Sequence, residues 1–269
     1  MVKKLFKQEL ISYSRNLMPM FYILIGIATL NRIIQFFETD SFSYNVVFIS
    51  SLVALIVSVV VCLIMTVVVA IKRYYTNFFT SEGYLTFTLP ATHHQLIITK
   101  LLCALLMVIA SVISCIIAGV IATSGEVLSE VFKAIGYLLK DYFEVTKPHG
   151  IFYIIEVLVM LLSSILTSFL LFYGCITVGQ LAKKNRVAAA FGAYFALYLI
   201  EQFLGTIFII IVPNIYDKLP LEAIERFVER HPFATIHIAI IAITVYILAI
   251  GCLFYYITQR ITKRKLNLE

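Results

Sequence analysis

Two carboxylates fall inside long apolar runs, where few chemical roles are open to them. Glu201, with Gln202 beside it and Gly205 following, stands near the middle of one such run. Glu156 lies about one and a half turns inside the end of another, counted at ~3.6 residues per turn. An ionisable group at that depth costs several kcal/mol unless it faces protein or water. Glu201, Gln202 and Glu156 are therefore candidates for lining a path through a membrane. The alternative for Glu201 is a neutral carboxylic acid hydrogen-bonded between helices. His237, in the last apolar run, reads as a hydrogen-bonded packing residue. The adjacent pair His93 and His94 has no third or fourth ligand nearby, so no metal site is expected. All five cysteines fall in apolar runs and none forms a CxxC pair, which is the pattern of buried free thiols. The sequence has no GxxxxGK[ST] phosphate loop, no HExxH and no nucleophile elbow. No soluble segment is large enough to hold a core, so the chain is expected to be no enzyme, unable to hydrolyse ATP itself, and to bind no cofactor of its own.

The elements that position these residues are apolar helices. Hydrophobic residues make up 61% of the 269 and charged ones 13%, with a mean hydropathy of +0.98. Soluble domains carry about 25% charged residues, so this composition marks an all-α integral membrane protein. A span needs about 20 apolar residues to cross about 30 Å of hydrocarbon. Six stretches are long enough: residues 17–37, 46–71, 101–123, 151–181, 187–212 and 234–258. Fourteen of the 21 Lys and Arg residues collect on one side, from Lys3 to Arg15, at Lys72, Arg73 and Lys100, at Lys183 to Arg186, and from Arg260 to Lys265. The positive-inside rule then puts both termini in the cytoplasm. The net charge of +6 is a topology signal and not one for nucleic acid. The apolar stretch after the first lysines is full length and lacks a small-residue cleavage site, so no removed signal peptide is expected.

Residues 1–16 place Val2, Leu5, Phe6, Leu10 and Tyr13 on one helical face and the lysines mostly opposite. This predicts an amphipathic helix in the cytoplasmic interface, attracted to anionic headgroups. Pro19 would sit in the first turn of the first span, and Arg32 would snorkel outward or pair with Glu38 or Asp40. On the outer side, residues 124–150 carry Leu128, Val131, Phe132, Ile135, Leu138, Leu139 and Tyr142 at helical spacing. They predict a second amphipathic helix, and residues 213–233 predict a third.

The largest polar interruption on the basic side is residues 72–100, KRYYTNFFTSEGYLTFTLPATHHQLIITK. Tyr74, Tyr75, Phe78 and Phe79 would give the incoming helix an aromatic face until Gly83 offers a stop. Thr86, Phe87, Thr88 and Leu89 before Pro90 favour an extended path. Thr92 and Gln95 have capping-box spacing, so the next helix can begin there. A membrane protein without a soluble domain meets cytosolic partners through such a loop.

The run Glu82-Gly83-Tyr84-Leu85-Thr86-Phe87-Thr88-Leu89-Pro90, followed by a polar pair and a Lys at the mouth of the third span, resembles permease subunits of bacterial ABC transporters. The likeness is to the six-helix permeases of the ABC-2 exporter type, is strongest over residues 72–105, and rests on topology elsewhere. It implies a single permease domain over residues 1–269. It implies that residues 72–100 hold a coupling helix seated on a separate cytosolic ATP-binding cassette subunit, with Tyr75, Phe78, Phe79, Ser81, Glu82, Gly83, Tyr84 and Leu85 as the contact. The resemblance further implies two permeases, identical or related, on two ATPase subunits that carry the ATP and Mg. The cargo it implies is an amphipathic or antimicrobial peptide, or a lipid-like molecule or drug. The chain departs from the family in having one charged stretch between the last two spans, where apolar re-entrant helices are usual, and a long insertion after the third. Two other readings stay open: a proton-coupled secondary transporter using Glu201, and a membrane sensor or scaffold that does not transport.

Overall fold

In the computed structural model, the structure describes residues 2–37, 39, 41–88, 91–123, 125–182, 184–216 and 228–264. All regular secondary structure among the described residues is α-helical: α1 (Val2–Gln35), α2 (Phe42–Phe79), α3 (Ser81–Thr88), α4 (His93–Ala122), α5 (Gly125–Thr146), α6 (Gly150–Gly179), α7 (Arg186–Tyr216) and α8 (Pro232–Arg264). Six helices, α1, α2, α4, α6, α7 and α8, are long and apolar enough to cross a membrane. Most of their large apolar side chains face outward, as in Ile56, Ile64, Ile116, Leu158, Phe203 and Val245. In water such a surface would be costly, whereas lipid tails are as apolar as the side chains themselves. The chain is a multi-pass helical membrane protein by this character. It divides into two compact units, Met1–Asp141 and Tyr142–Glu269.

The first unit packs α1 against α2 and α4, with α3 against α2. Small side chains let the three long helices approach: Ala28, Cys62, Ala118 and Ala122 are buried around Leu24, with Phe21, Leu55 and Val59 beside them. At one end of this core the Asn31 amide donates to Ser51 Oγ at 2.8 Å, and Gln35 Nε2 donates to Asn31 Oδ1 at 3.0 Å and to the Ala122 carbonyl at 2.7 Å. Arg32 donates to Gln35 Oε1 at 3.0 Å and lies over the Phe36 ring; Glu38 and Asp40, its expected partners, lie outside the described residues. At the other end Tyr13, Leu17, Tyr74, Phe78, Leu96 and Ile97 are buried.

Three expectations are corrected here. Residues 2–35 form one continuous helix, not an interfacial helix followed by a span, and Pro19 lies inside it. A proline in a helix removes one backbone donor, a cost of about 3 kcal/mol, and buried contacts of Glu9, Tyr13 and Leu17 on the N-terminal side hold the continuation in place. Gly83 is not the stop for α2. The break comes earlier, at Thr80, whose backbone is extended (φ −112°, ψ −172°), and Gly83 lies within α3. Thr86 to Thr88 are helical, not extended, because the ring of Pro90 restricts only the residue before it, Leu89, which is outside the described residues. The start of α4 does follow its local signal: Thr92 Oγ1 accepts from the Gln95 backbone N–H and Gln95 Oε1 accepts from the Thr92 backbone N–H.

The second unit packs α6 against both α7 and α8. Glycines set the distances. A Cβ on Gly179 would lie 2.6 Å from the Ala190 Cβ, and one on Gly251 would lie 2.6 Å from Thr167 Oγ1. The turn from α6 to α7 closes on Asn185, which takes a left-handed φ of 52°, a conformation asparagine accepts more readily than most residues. The expected helix at 124–150 is present as α5, whose residues 131–141 are exposed throughout. Of the expected segment at 213–233, α7 takes residues up to Tyr216, and 217–227 lie outside the described residues.

Candidate functional site at the turn between α2 and α4

The polar chemistry of the first unit gathers where α2 ends and α4 begins. α2 has 38 residues, about 57 Å at ~1.5 Å per residue, nearly twice the ~30 Å of hydrocarbon. Part of it must therefore project beyond the apolar layer, and Lys72 to Phe79 is its polar end. Thr80 interrupts the helix, its hydroxyl bonding back to the Thr76 carbonyl at 2.6 Å and its own carbonyl receiving the Gly83 N–H at 2.8 Å. The eight residues of α3 follow, set off from α2 by the bend.

Beneath this turn lies an ion cluster that joins three helices. Glu9 of α1 is buried; its Oε2 accepts from Arg73 at 2.9 Å, and its Oε1 accepts from Asn77 at 2.7 Å and from Lys100 Nζ. Arg73 and Asn77 are four apart on α2 and so share a face. The Lys100 side chain, 2% exposed, sits over the Phe78 ring at 5.6 Å, and Arg73 lies over the Tyr13 ring at 6.0 Å. Phe78 in turn stacks on Tyr74, centroids 4.9 Å apart. Two cations around one carboxylate, floored by aromatic faces, satisfy the condition under which charges persist in a low-dielectric site. A cavity of about 220 Å³ adjoins the cluster and includes Thr86 of α3 in its wall.

Of the expected contact residues, Tyr75, Ser81 and Glu82 are exposed and Phe79 is half-buried. Phe78 and Gly83 are buried, so they shape the turn from within and present no surface to a partner. The side chains of Tyr84 and Leu85 lie outside the described residues. The ion cluster itself was missed by sequence reasoning. Its available signals were Glu9, a lone acid among four cations, and the four-residue spacing of Arg73 and Asn77.

In the second unit the structure separates the path candidates. Glu201 is half-buried and lines a cavity of about 80 Å³ with the hydroxyl residues Ser164, Thr167, Ser168 and Tyr246. That is well below the ~300–1,000 Å³ of ordinary ligand pockets. Gln202, next to it, is exposed. Glu156 belongs to a different group: its Oε1 is 2.7 Å from His237 Nδ1, and His237 Nε2 is 3.2 Å from His149 Nδ1. Tyr153 stacks on His237, centroids 4.2 Å apart, and its hydroxyl donates to the Phe233 carbonyl at 2.9 Å. His237 is thus a hydrogen-bonded packing residue whose partners are Glu156 and His149. No group of three or more His, Cys, Asp or Glu among the described residues could hold a metal ion.

A six-helix membrane architecture and a bent, ion-anchored turn define the class that the geometry supports, a polytopic helical membrane protein. No protein-family model, curated protein or solved structure matches the chain.

Proposed function

We propose that the chain is the permease subunit of an ATP-binding cassette exporter of the ABC-2 type, set in a bacterial plasma membrane with both termini in the cytoplasm. The observation that carries this reading is α3, a short helix offset by Thr80 at the projecting end of α2, with Tyr75, Ser81 and Glu82 exposed. Such a helix has an obvious use if a soluble subunit bears on it. The ion cluster of Glu9, Arg73 and Lys100 gives the applied motion a route into α1, α2 and α4. Two copies, or this chain with a related permease, pair over two ATPase subunits that hold ATP and Mg. ATP binding closes the ATPase pair, α3 moves with it, and the spans shift between inward and outward states. Export is the favoured direction because the wide apolar surface suits amphipathic cargo, a peptide first and a lipid-like molecule or drug second.

A proton-coupled carrier is the second reading, and the observation that favours it is Glu201 facing a small cavity walled by hydroxyls. Affinity purification of the full chain in mild detergent separates the two. The first reading predicts an ATP-hydrolysing subunit that co-purifies with the intact chain and is lost from Glu82→Lys but retained by Lys133→Glu on α5. Recovery of no ATPase, together with transport abolished by Glu201→Gln and driven by a proton gradient, would replace it with the second.

A further inference from the structure

We infer that the cavity beside the Glu9 cluster is a binding site for one phosphate-bearing anion, either the headgroup of a phospholipid or free phosphate. Neither the coupling role of α3 nor the identity of any cargo enters the argument. The first observation is charge. Both oxygens of Glu9 are engaged, Oε1 with Lys100 and Asn77 and Oε2 with Arg73, so among the described residues one carboxylate faces two cations and the cluster keeps a net positive charge. Placing a second anion there neutralises that excess in a site where uncompensated charge is expensive.

The second observation is an unused donor and an unused acceptor at the same place. Arg73 gives one terminal nitrogen to Glu9, while its Nε is buried and makes no hydrogen bond. Arginine grips a phosphate through two parallel N–H groups, and the Nε–H of Arg73, beside the Nη2 that holds Glu9, is a buried donor with no acceptor. Asn77 donates its amide to Glu9, and its Oδ1 is likewise buried and unpartnered. An acceptor beside a phosphate site suits a ligand that also carries a hydroxyl, such as a phosphate monoester acid or a glycerol headgroup. Both atoms belong to residues that line the cavity.

The third observation is the shape and surroundings of the space. About 220 Å³ accommodates a phosphate and a few carbons but not a whole phospholipid. Leu5 and Leu96 supply apolar wall for such carbons, and Thr86 closes the space from α3. The exposed Lys3, Lys4, Lys7 and Lys72 on the same helices raise the local concentration of anions without entering the cavity.

The test uses the full chain, delipidated in a neutral detergent, with two probes: inorganic phosphate and dihexanoyl phosphatidylglycerol. Binding is followed by native mass spectrometry and by the thermal unfolding midpoint. The site predicts saturable one-to-one binding of at least one probe. Arg73→Gln should weaken it at least tenfold, and Thr86→Phe, which narrows the cavity and keeps every charge, should do the same. Lys3→Gln with Lys4→Gln should change it less than twofold. Binding of phosphate assigns a free anion, and binding of the lipid alone assigns a headgroup. Binding of neither probe overturns the inference, as does binding that survives Thr86→Phe or that falls equally with the exposed lysines. If Arg73→Gln does not fold, Thr86→Phe decides by itself.

Discussion

Each of the two units holds a carboxylate in a polar cluster, and they stabilise it in different ways. In the first, Glu9 is held by Arg73 and Lys100, a guanidinium and an amine, and the three helices they come from are joined through it. In the second, Glu156 meets an imidazole, His237, and through it another, His149. The first arrangement depends on charge balance; the second can persist as a chain of hydrogen bonds. The units also differ in how closely their backbones approach. Gly26 and Gly119 of the first unit have open space where a Cβ would go, whereas Gly179 and Gly251 of the second have a neighbour at 2.6 Å. One unit is fastened by ions at the end of its helices, the other by close helix contact along α6.

The largest effect should come from Glu9→Gln. The amide cannot balance Lys100, whose side chain is 2% exposed, and breaking a buried ion pair from one side costs about 3–5 kcal/mol. The unfolding midpoint in detergent should fall sharply, and adding Lys100→Met to the same chain should recover part of the loss. A loss no larger than that of an ordinary surface substitution would break the contrast between the units.

Next in size is Gly179→Ala. Its methyl would meet the Ala190 backbone nitrogen and Cα at 2.7 Å, and forcing an extra carbon into a closed contact costs about 1–3 kcal/mol. Gly26→Ala, with nothing within 4 Å, should be neutral or stabilise by about 0.5–1 kcal/mol through helix propensity. Equal effects at the two glycines would mean that close approach does not distinguish the units. Smallest is Glu156→Gln. The amide oxygen can still accept from His237, so the change should cost about 1 kcal/mol, the net worth of one hydrogen bond. A loss matching that of Glu9→Gln would show that the second unit also depends on charge.

What the sequence made legible was local. The six apolar stretches and the capping box at Thr92 and Gln95 are patterns within a few turns, and the corresponding helices are present. The clusters were illegible because their members are distant along the chain. Glu9 is 64 residues from Arg73, 68 from Asn77 and 91 from Lys100, and Glu156 is 81 from His237. Periodicity cannot bring such residues together. The errors at Pro19 and Gly83 share one cause: both residue types weaken a helix locally, and tertiary contacts decide whether the helix continues. At Pro19, buried Glu9 and Tyr13 outweigh one missing hydrogen bond. At Thr80 the chain turns without a glycine, because the threonine hydroxyl and carbonyl absorb the Thr76 carbonyl and the Gly83 N–H.

The central claim is that α3 is the surface on which an ATPase acts. The most direct measurement is the ATP hydrolysis rate of the co-purified subunit in proteoliposomes containing the intact chain, Glu82→Lys, or Lys133→Glu. The account predicts that the intact chain and Lys133→Glu stimulate hydrolysis equally and that Glu82→Lys, exposed on α3, reduces the stimulation at least tenfold while leaving the chain's unfolding midpoint unchanged. Stimulation by Glu82→Lys equal to that of the intact chain would contradict it.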